Sequence, residues 1–122
     1  MFIFEKLIVY QKARLLNKDI LAFLETNNIK NSNMADQFKR AASSIVLNIA
    51  EGSGRQTKAD KKNFYTIAKG SAYECASILG LILDSGKMDK TIYKGYYDRF
   101  LEIIKMLTGL TKSLENIHSK CK

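Results

Sequence analysis

The chain has 122 residues and a formal net charge of +8 at pH 7, and hydrophobic residues make up 46% of it. This length suits one domain, and the hydrophobic fraction supports a buried core, which excludes a disordered tail. Proline is absent, which removes the strongest helix breaker. The apolar start is interrupted by Glu5 and Lys6, and no apolar run approaches the ~20 residues of a membrane span. We therefore expect a cytoplasmic protein.

Apolar residues at helical spacing predict a first helix over about residues 5–25 and a second over about residues 33–51. Asn33, followed by Asp36, is the predicted N-cap of the second helix. Val46 and Leu47 lie outside its core stripe, so this helix is apolar over more of its circumference than one seam needs. We therefore predict that Val46 and Leu47 form part of an oligomer interface. The two core stripes contain Val9, Ala13, Leu16, Ile20 and Phe23, then Phe38, Ala42, Ile45 and Ile49.

A third helix is predicted over residues 58–85, with Thr57 as its N-cap and Gly86 closing it. Its middle is rich in small residues, which let helix axes approach closely. A fourth helix is predicted from an N-cap at Asp89 to about Ile117. The inner stripes are predicted to contain Phe64, Ile67, Ser71, Cys75, Ile78 and Ile82, then Ile92, Tyr96, Phe100, Ile103, Leu107, Leu110 and Leu114.

Three short connections join these four long helices. Short connections force neighbouring helices to run antiparallel. The predicted fold class is therefore all-α, an antiparallel up-down-up-down four-helix bundle in which residues 1–122 form one domain.

The most informative segment is residues 48–55, with the sequence NIAEGSGR. Glycine costs about 1 kcal/mol relative to alanine inside a helix, so Gly52 and Gly54 are predicted to end the second helix at a corner. Glu51 and Arg55 are four residues apart and can pair. Asn48 is predicted to satisfy a backbone group at a neighbouring helix end. We call residues 48–55 the signature segment.

Catalytic interpretations of the signature segment are weak. A nucleophile elbow needs Gly-x-Ser-x-Gly after a strand, and a P-loop needs its own glycine and lysine spacing. Asn48, Glu51 and Glu74 are residue types that also occur in metal and acid/base sites, but a di-metal bundle uses Glu-x-x-His motifs that this chain lacks. A hydrogen-bonding network is the alternative interpretation of these residues. We expect no enzymatic activity, no metal and no cofactor.

Basic residues cluster around the start of the third helix and on the second. Phosphate binding needs cations without a fixed spacing, so the pattern permits nucleic-acid binding, while a solvated helix face is the alternative. Tyrosines could stack on bases or simply pack. The predicted nucleic-acid contacts are Lys39, Arg40, Arg55, Lys58, Lys61 and Lys62, and the tyrosines are Tyr65, Tyr93, Tyr96 and Tyr97.

The chain resembles the bacterial 23S rRNA intervening sequence protein family over nearly its whole length. The resemblance rests on FEKL at 4–7, YQKA at 10–13, RAASSI at 40–45, the signature segment, and Phe64, Ala68, Gly70, Ser71 and Glu74. It implies a four-helix bundle that assembles into a homopentamer and binds nucleic acid or a nucleoprotein. The family is similar in fold to the accessory variability determinant of diversity-generating retroelements. No catalytic residues follow from the resemblance.

Charge and resemblance together predict a non-enzymatic, oligomeric, basic bundle that binds RNA or DNA through phosphates. A protein–protein interaction scaffold without a direct nucleic-acid role is the alternative hypothesis. Its positive charge would then serve solubility, and its exposed apolar residues would serve assembly.

Overall fold

The computed structural model describes residues 1–29 and 32–120, with only the backbone of residues 116–120. A short 3-10 helix at Ile3–Lys6 precedes four α-helices, and no strand occurs in the described part of the chain. The predicted all-α class is confirmed. The helices are α1 (Ile8–Thr26), α2 (Asn33–Ser53), α3 (Lys58–Asp84) and α4 (Lys90–Lys120).

The four helices pack in a ring in which each helix contacts two neighbours. α1 contacts α2 and α4, and α3 also contacts α2 and α4, whereas the backbones of the diagonal pairs stay apart throughout the described ranges. Ion pairs show how α1 and α4 run. Lys12 pairs with Glu102 at 3.1 Å, and further along α1, Asp19 pairs with the earlier residue Arg99 at 2.9 Å. The two helices are therefore antiparallel, as the short connections predict.

The core lies along the axis of the bundle. Phe38 of α2 and Phe100 of α4 meet there with ring centroids 6.1 Å apart, and both are fully buried. Burial of one such side chain stabilises a fold by about 1.5–3 kcal/mol, so the apolar stripes supply the main driving force. Other fully buried side chains include Leu16, Ile20, Leu24, Ile45, Ile49, Leu79, Ile82, Ile103 and Leu107.

The inner face of α3 differs from the predicted stripe. Ile67 is 44% exposed and Ser71 is half-buried, whereas Tyr65, Ala68 and Ala72 are buried. Small alanines at this face allow α2 to come close, so they enclose the core although they carry a weaker apolar signal than isoleucine. Ile92 at the start of α4 is likewise outside the core, at 40% exposure.

Side-chain caps define where the helices begin. The sequence predicts Asn33 as the N-cap of α2, but the cap is Ser32, whose Oγ accepts a hydrogen bond from the Ala35 amide at 2.9 Å. The predicted caps Thr57 and Asp89 are confirmed, since each accepts a hydrogen bond from the amide three residues on, at 3.1 Å and 2.8 Å. Each cap satisfies one of the free amides of a helix start.

Gly86 follows the end of α3 with a φ of +82°. This left-handed conformation favours glycine because glycine has no Cβ. The prediction that Gly86 closes α3 is therefore confirmed.

Gly52 has a different role from the predicted one. α2 continues to Ser53, so Gly52 lies inside its last turn and is buried. A Cβ placed on Gly52 would lie 2.8 Å from Tyr65 Cε1 and 3.0 Å from Phe64 Cβ. Glycine is therefore needed here because α3 packs directly against the α2 backbone, and Gly54 is the residue that caps the helix.

We expect Gly52→Ala to destabilise the fold by about 1–3 kcal/mol, because the added methyl group would displace the buried Tyr65 ring. Gly54→Ala is the matched control, since a Cβ there would lie 3.7 Å from the nearest atom, Glu51 O. Urea denaturation followed by circular dichroism measures both changes. Equal stability of the two variants would contradict the packing role of Gly52.

Candidate nucleic-acid interface

The predicted basic cluster at the start of α3 is largely engaged within the chain. Lys61 Nζ donates to the Ser53 carbonyl oxygen at 2.9 Å, and Lys62 pairs with Glu115 of α4. Arg55 pairs with Glu51. Among the described residues, only Lys58 of this cluster has neither a hydrogen bond nor an ion pair from its side chain.

Lys39 and Arg40 lie far from this cluster. Arg40 precedes Arg55 by 15 residues of sequence, almost all of them in α2, which corresponds to about 22 Å at ~1.5 Å per residue. Lys39 is half-buried and Arg40 is exposed. The fold therefore does not collect the six predicted contacts into one compact site.

Asn48 belongs to a hydrogen-bond network between α2 and α3. Its Nδ2 donates to the Ser44 carbonyl oxygen at 2.8 Å and to Ser44 Oγ at 3.0 Å. Ser44 Oγ in turn lies 2.8 Å from Ser71 Oγ across the helix interface. The predicted network exists, but the backbone group that Asn48 satisfies belongs to its own helix and not to a neighbouring helix end.

Glu51 and Arg55 form the predicted pair at the end of α2. The Arg55 guanidinium also lies 4.6 Å from the centroid of the Phe64 ring on α3, within cation–π range. Arg55 therefore connects the end of α2 to the start of α3. Because both charged groups are about half exposed, the ion pair itself adds little stability.

The side chain of Glu74 makes no hydrogen bond or ion pair with the other described residues, and it lies exposed on α3. Burial of the adjacent Cys75 thiol raises the pKa of this thiol well above its ordinary value, and the negative charge of Glu74 raises it further. Cys75 therefore stays a neutral thiol at physiological pH and is a poor nucleophile. No group of His, Cys, Asp and Glu among the described residues could hold a metal ion.

Apolar side chains are exposed on both α2 and α3, and we call them the outer apolar surface. Leu47 is 66% exposed on α2, while its neighbour Val46 is half-buried and packs against the core. Ile67 and Leu81 are exposed on α3. Of the two predicted interface residues, only Leu47 is thus freely available, and α3 adds Ile67, which the sequence interpretation placed inside, and Leu81.

A second group of cations lies on α1, where the sequence interpretation found none. Arg14 and Lys18 line an open groove of about 400 Å³ together with Tyr10, Gln11 and Glu5. Neither cation has an ion pair with another described residue. Their i, i+4 spacing places them on one helix face, which is the signal that could have identified them.

The tyrosines divide between packing and exposure. Tyr65 is only 4% exposed and packs against Gly52, so it is not available to stack on a base. Tyr93 and Tyr97 of α4 lie with ring centroids 5.8 Å apart, and Tyr97 is 38% exposed. Tyr96 packs edge-to-face on Phe23 at 5.8 Å.

No described helix is long and apolar enough to cross a membrane. A comparison with curated proteins finds no match. Among solved structures, the chain is similar to a protein of unknown function from the S23 ribosomal protein family of Bacteroides thetaiotaomicron. The two share 29% sequence identity with a TM-score of 0.79, over 86% of this chain and 99% of the other.

The family model described as 23S rRNA-intervening sequence protein matches residues 5–109 of the chain. This range includes the signature segment, the hydrogen-bonded serines of α2 and α3, and most of α4. The resemblance inferred from the sequence is thereby confirmed, and the chain belongs to the 23S rRNA-intervening sequence protein family.

Proposed function

We propose that this protein is a non-enzymatic, oligomeric bundle that binds RNA or DNA through backbone phosphates in the bacterial cytoplasm. The observation that carries the proposal is the surplus of positive charge. The chain has 20 Lys and Arg against 12 Asp and Glu, and several of its exposed cations have no carboxylate partner among the described residues. The positive electrostatic field of such a surface attracts polyanions.

The structure helps to rank the contacts within this proposal. Lys58, Arg14 and Lys18 are exposed and without an ion pair among the described residues, so a phosphate need not displace a partner from them. Lys62 and Arg55 are in exposed ion pairs, which are worth about 0–1 kcal/mol each and can exchange for a phosphate. Lys61 holds the Ser53 carbonyl and serves the α2–α3 connection first.

We expect the logarithm of the affinity for RNA to fall linearly with the logarithm of salt concentration, because binding releases counterions from phosphates. For a single-stranded RNA, Lys58→Gln should reduce the magnitude of that slope by about 0.7, the contribution of one phosphate contact. Fluorescence anisotropy of a labelled RNA, over about 50–200 mM salt, measures the slope.

The control is Lys12→Gln, which removes the same net charge from a lysine already paired with Glu102. Its slope should match that of the unmodified protein. Binding that is indifferent to salt, or undetectable at low salt, would contradict phosphate recognition. Equal slopes for the two variants would place the contact elsewhere than at the start of α3.

We further propose that the outer apolar surface around Leu47 joins copies of this chain into a closed ring, a pentamer by resemblance. An exposed apolar surface on an asymmetric bundle is removed from water by a neighbour, and a cyclic arrangement does this without open ends. Leu47 is the residue with the largest exposed fraction on this surface.

We expect light scattering to give a mass that is a multiple of the 13.8 kDa chain, and Leu47→Glu to reduce it to a single chain. The introduced carboxylate would have to be buried without a partner in the interface. Leu21→Glu is the control, since Leu21 is a leucine with 40% exposure on a different helix, α1. A mass of one chain for the unmodified protein would contradict the proposal.

The second candidate function is a protein-interaction scaffold without a nucleic-acid role. The engagement of Arg55, Lys61 and Lys62 within the chain favours it, because these cations then have a structural use. The ultraviolet spectrum of the purified assembly before and after nuclease treatment separates the two functions. The digested fragments are removed by gel filtration before the second spectrum. Loss of absorbance at nucleic-acid wavelengths then supports phosphate binding, and an unchanged spectrum with an intact assembly supports the scaffold.

A further inference from the structure

The first half of α4 borders an open groove of about 340 Å³ that no function discussed so far uses. Its lining residues are Phe23 of α1 and Ile92, Gly95, Tyr96 and Arg99 of α4. Gly95 and Ile92 are exposed. The groove therefore combines an aromatic wall, an open floor and one cation.

Gly95 is not required by the packing of the fold. A Cβ at this position would meet no atom within 4 Å, and the backbone is helical. Glycine is also the least favourable helix residue after proline. A planar ligand group can therefore approach the helix backbone at Gly95. A larger side chain at this position would exclude such a group.

The wall of the groove is held in place. Tyr96 is half-buried and contacts Phe23 edge-to-face at 5.8 Å. Burial and the nearby Asp19 carboxylate raise the pKa of Tyr96, while Arg99 opposes this. The phenol therefore remains a neutral hydrogen-bond donor at physiological pH.

The cation lies at the rim. The Arg99 guanidinium carbon is 5.9 Å from the Tyr96 ring centroid, and Arg99 Nη1 is 2.9 Å from Asp19 Oδ2. The Asp19 carboxylate accepts from one nitrogen of the Arg99 guanidinium. The other N–H donors of Arg99 stay available, because its side chain is 35% exposed. Lys94 lies on the adjoining surface, over Tyr97 and paired with Asp98.

We propose that this groove binds a nucleobase that carries a phosphate, with the base above Gly95 beside Tyr96 and the phosphate at Arg99. Every base has a π-face that an aromatic side chain can contact, and the guanidinium matches a phosphate in geometry. The ligand is a residue of single-stranded RNA, which rests on the proposed function, or a free mononucleotide. A second open helical glycine of α4, Gly109, lines a groove without aromatic residues and lacks this chemistry.

The test compares a labelled single-stranded RNA of about 10 nucleotides with an abasic oligonucleotide of equal length, which keeps the phosphates and lacks the bases. Anisotropy is measured for the unmodified protein, Gly95→Leu and the matched control Gly109→Leu. In parallel, amide NMR spectra are recorded with uridine monophosphate. Thermal denaturation confirms that both leucine variants are folded.

We expect the intact RNA to bind about 5- to 100-fold more tightly than the abasic strand, the range for stacking of one base. Gly95→Leu should bring this ratio of affinities to about one without changing the affinity for the abasic strand. Gly109→Leu should leave the ratio unchanged. Suppose that the intact and abasic strands bind with equal affinity and that uridine monophosphate does not shift the Gly95 amide signal. This result would overturn nucleobase binding in the groove and leave phosphate binding by the protein unaffected.

Two further outcomes separate this proposal from the proposed function. A mononucleotide shift at Gly95 without any RNA binding supports the groove, identifies a free nucleotide as its ligand and overturns RNA binding. A preference for intact RNA that survives Gly95→Leu supports RNA binding and overturns this groove. Absence of both RNA and mononucleotide binding overturns both proposals.

Discussion

The close approach of α2 and α3 is the constraint on which the rest of the structure depends. Gly52 lies directly against the ring of Tyr65, so close that a Cβ atom at this position would clash with the ring. Further along the same interface, Ser44 and Ser71 share a hydrogen bond. These contacts run in opposite order along the two helices, so they fix an antiparallel pair with the widest contact in the bundle. α1 and α4 then cover the remaining sides of the core.

This interface also explains the composition of the signature segment. Asn48 ties down the serine that reaches α3, Gly52 permits the contact, and Arg55 extends from Glu51 to the Phe64 ring. Each polar group therefore has a partner that belongs to the fold. A segment that resembles a catalytic corner in sequence is accounted for by helix packing and by the connection between two helices.

The same use of polar groups limits where a ligand can bind. Lys61 holds the Ser53 carbonyl at the corner and Lys62 pairs with Glu115 of α4, so part of the basic cluster already has partners within the fold. The exposed cations without an ion pair among the described residues are spread over the surface, and they include Arg14 and Lys18 on α1, Arg40 on α2, Lys58 on α3 and Lys105 on α4. A polyanion would contact such a surface through several separated phosphates, as expected of recognition by overall charge.

The sequence by itself determined the number of the α-helices and placed their boundaries to within about three residues. Apolar residues at spacings of three and four, with caps such as Thr57 and Asp89, carry that information locally. It also determined family membership, through the signature segment. The Glu51–Arg55 pair was predictable for the same reason, since both residues lie on one helix.

Only the tertiary structure decided which of two adjacent apolar stripes of α3 faces inward. Ile67 is more apolar than Ala68, yet alanine is buried because the core at this point has room for a small side chain next to α2. The groove at Gly95 and the exposed cations of α1 also depend on which helices become neighbours. Local periodicity specifies a helix and its possible faces, whereas the fit between helices selects among them.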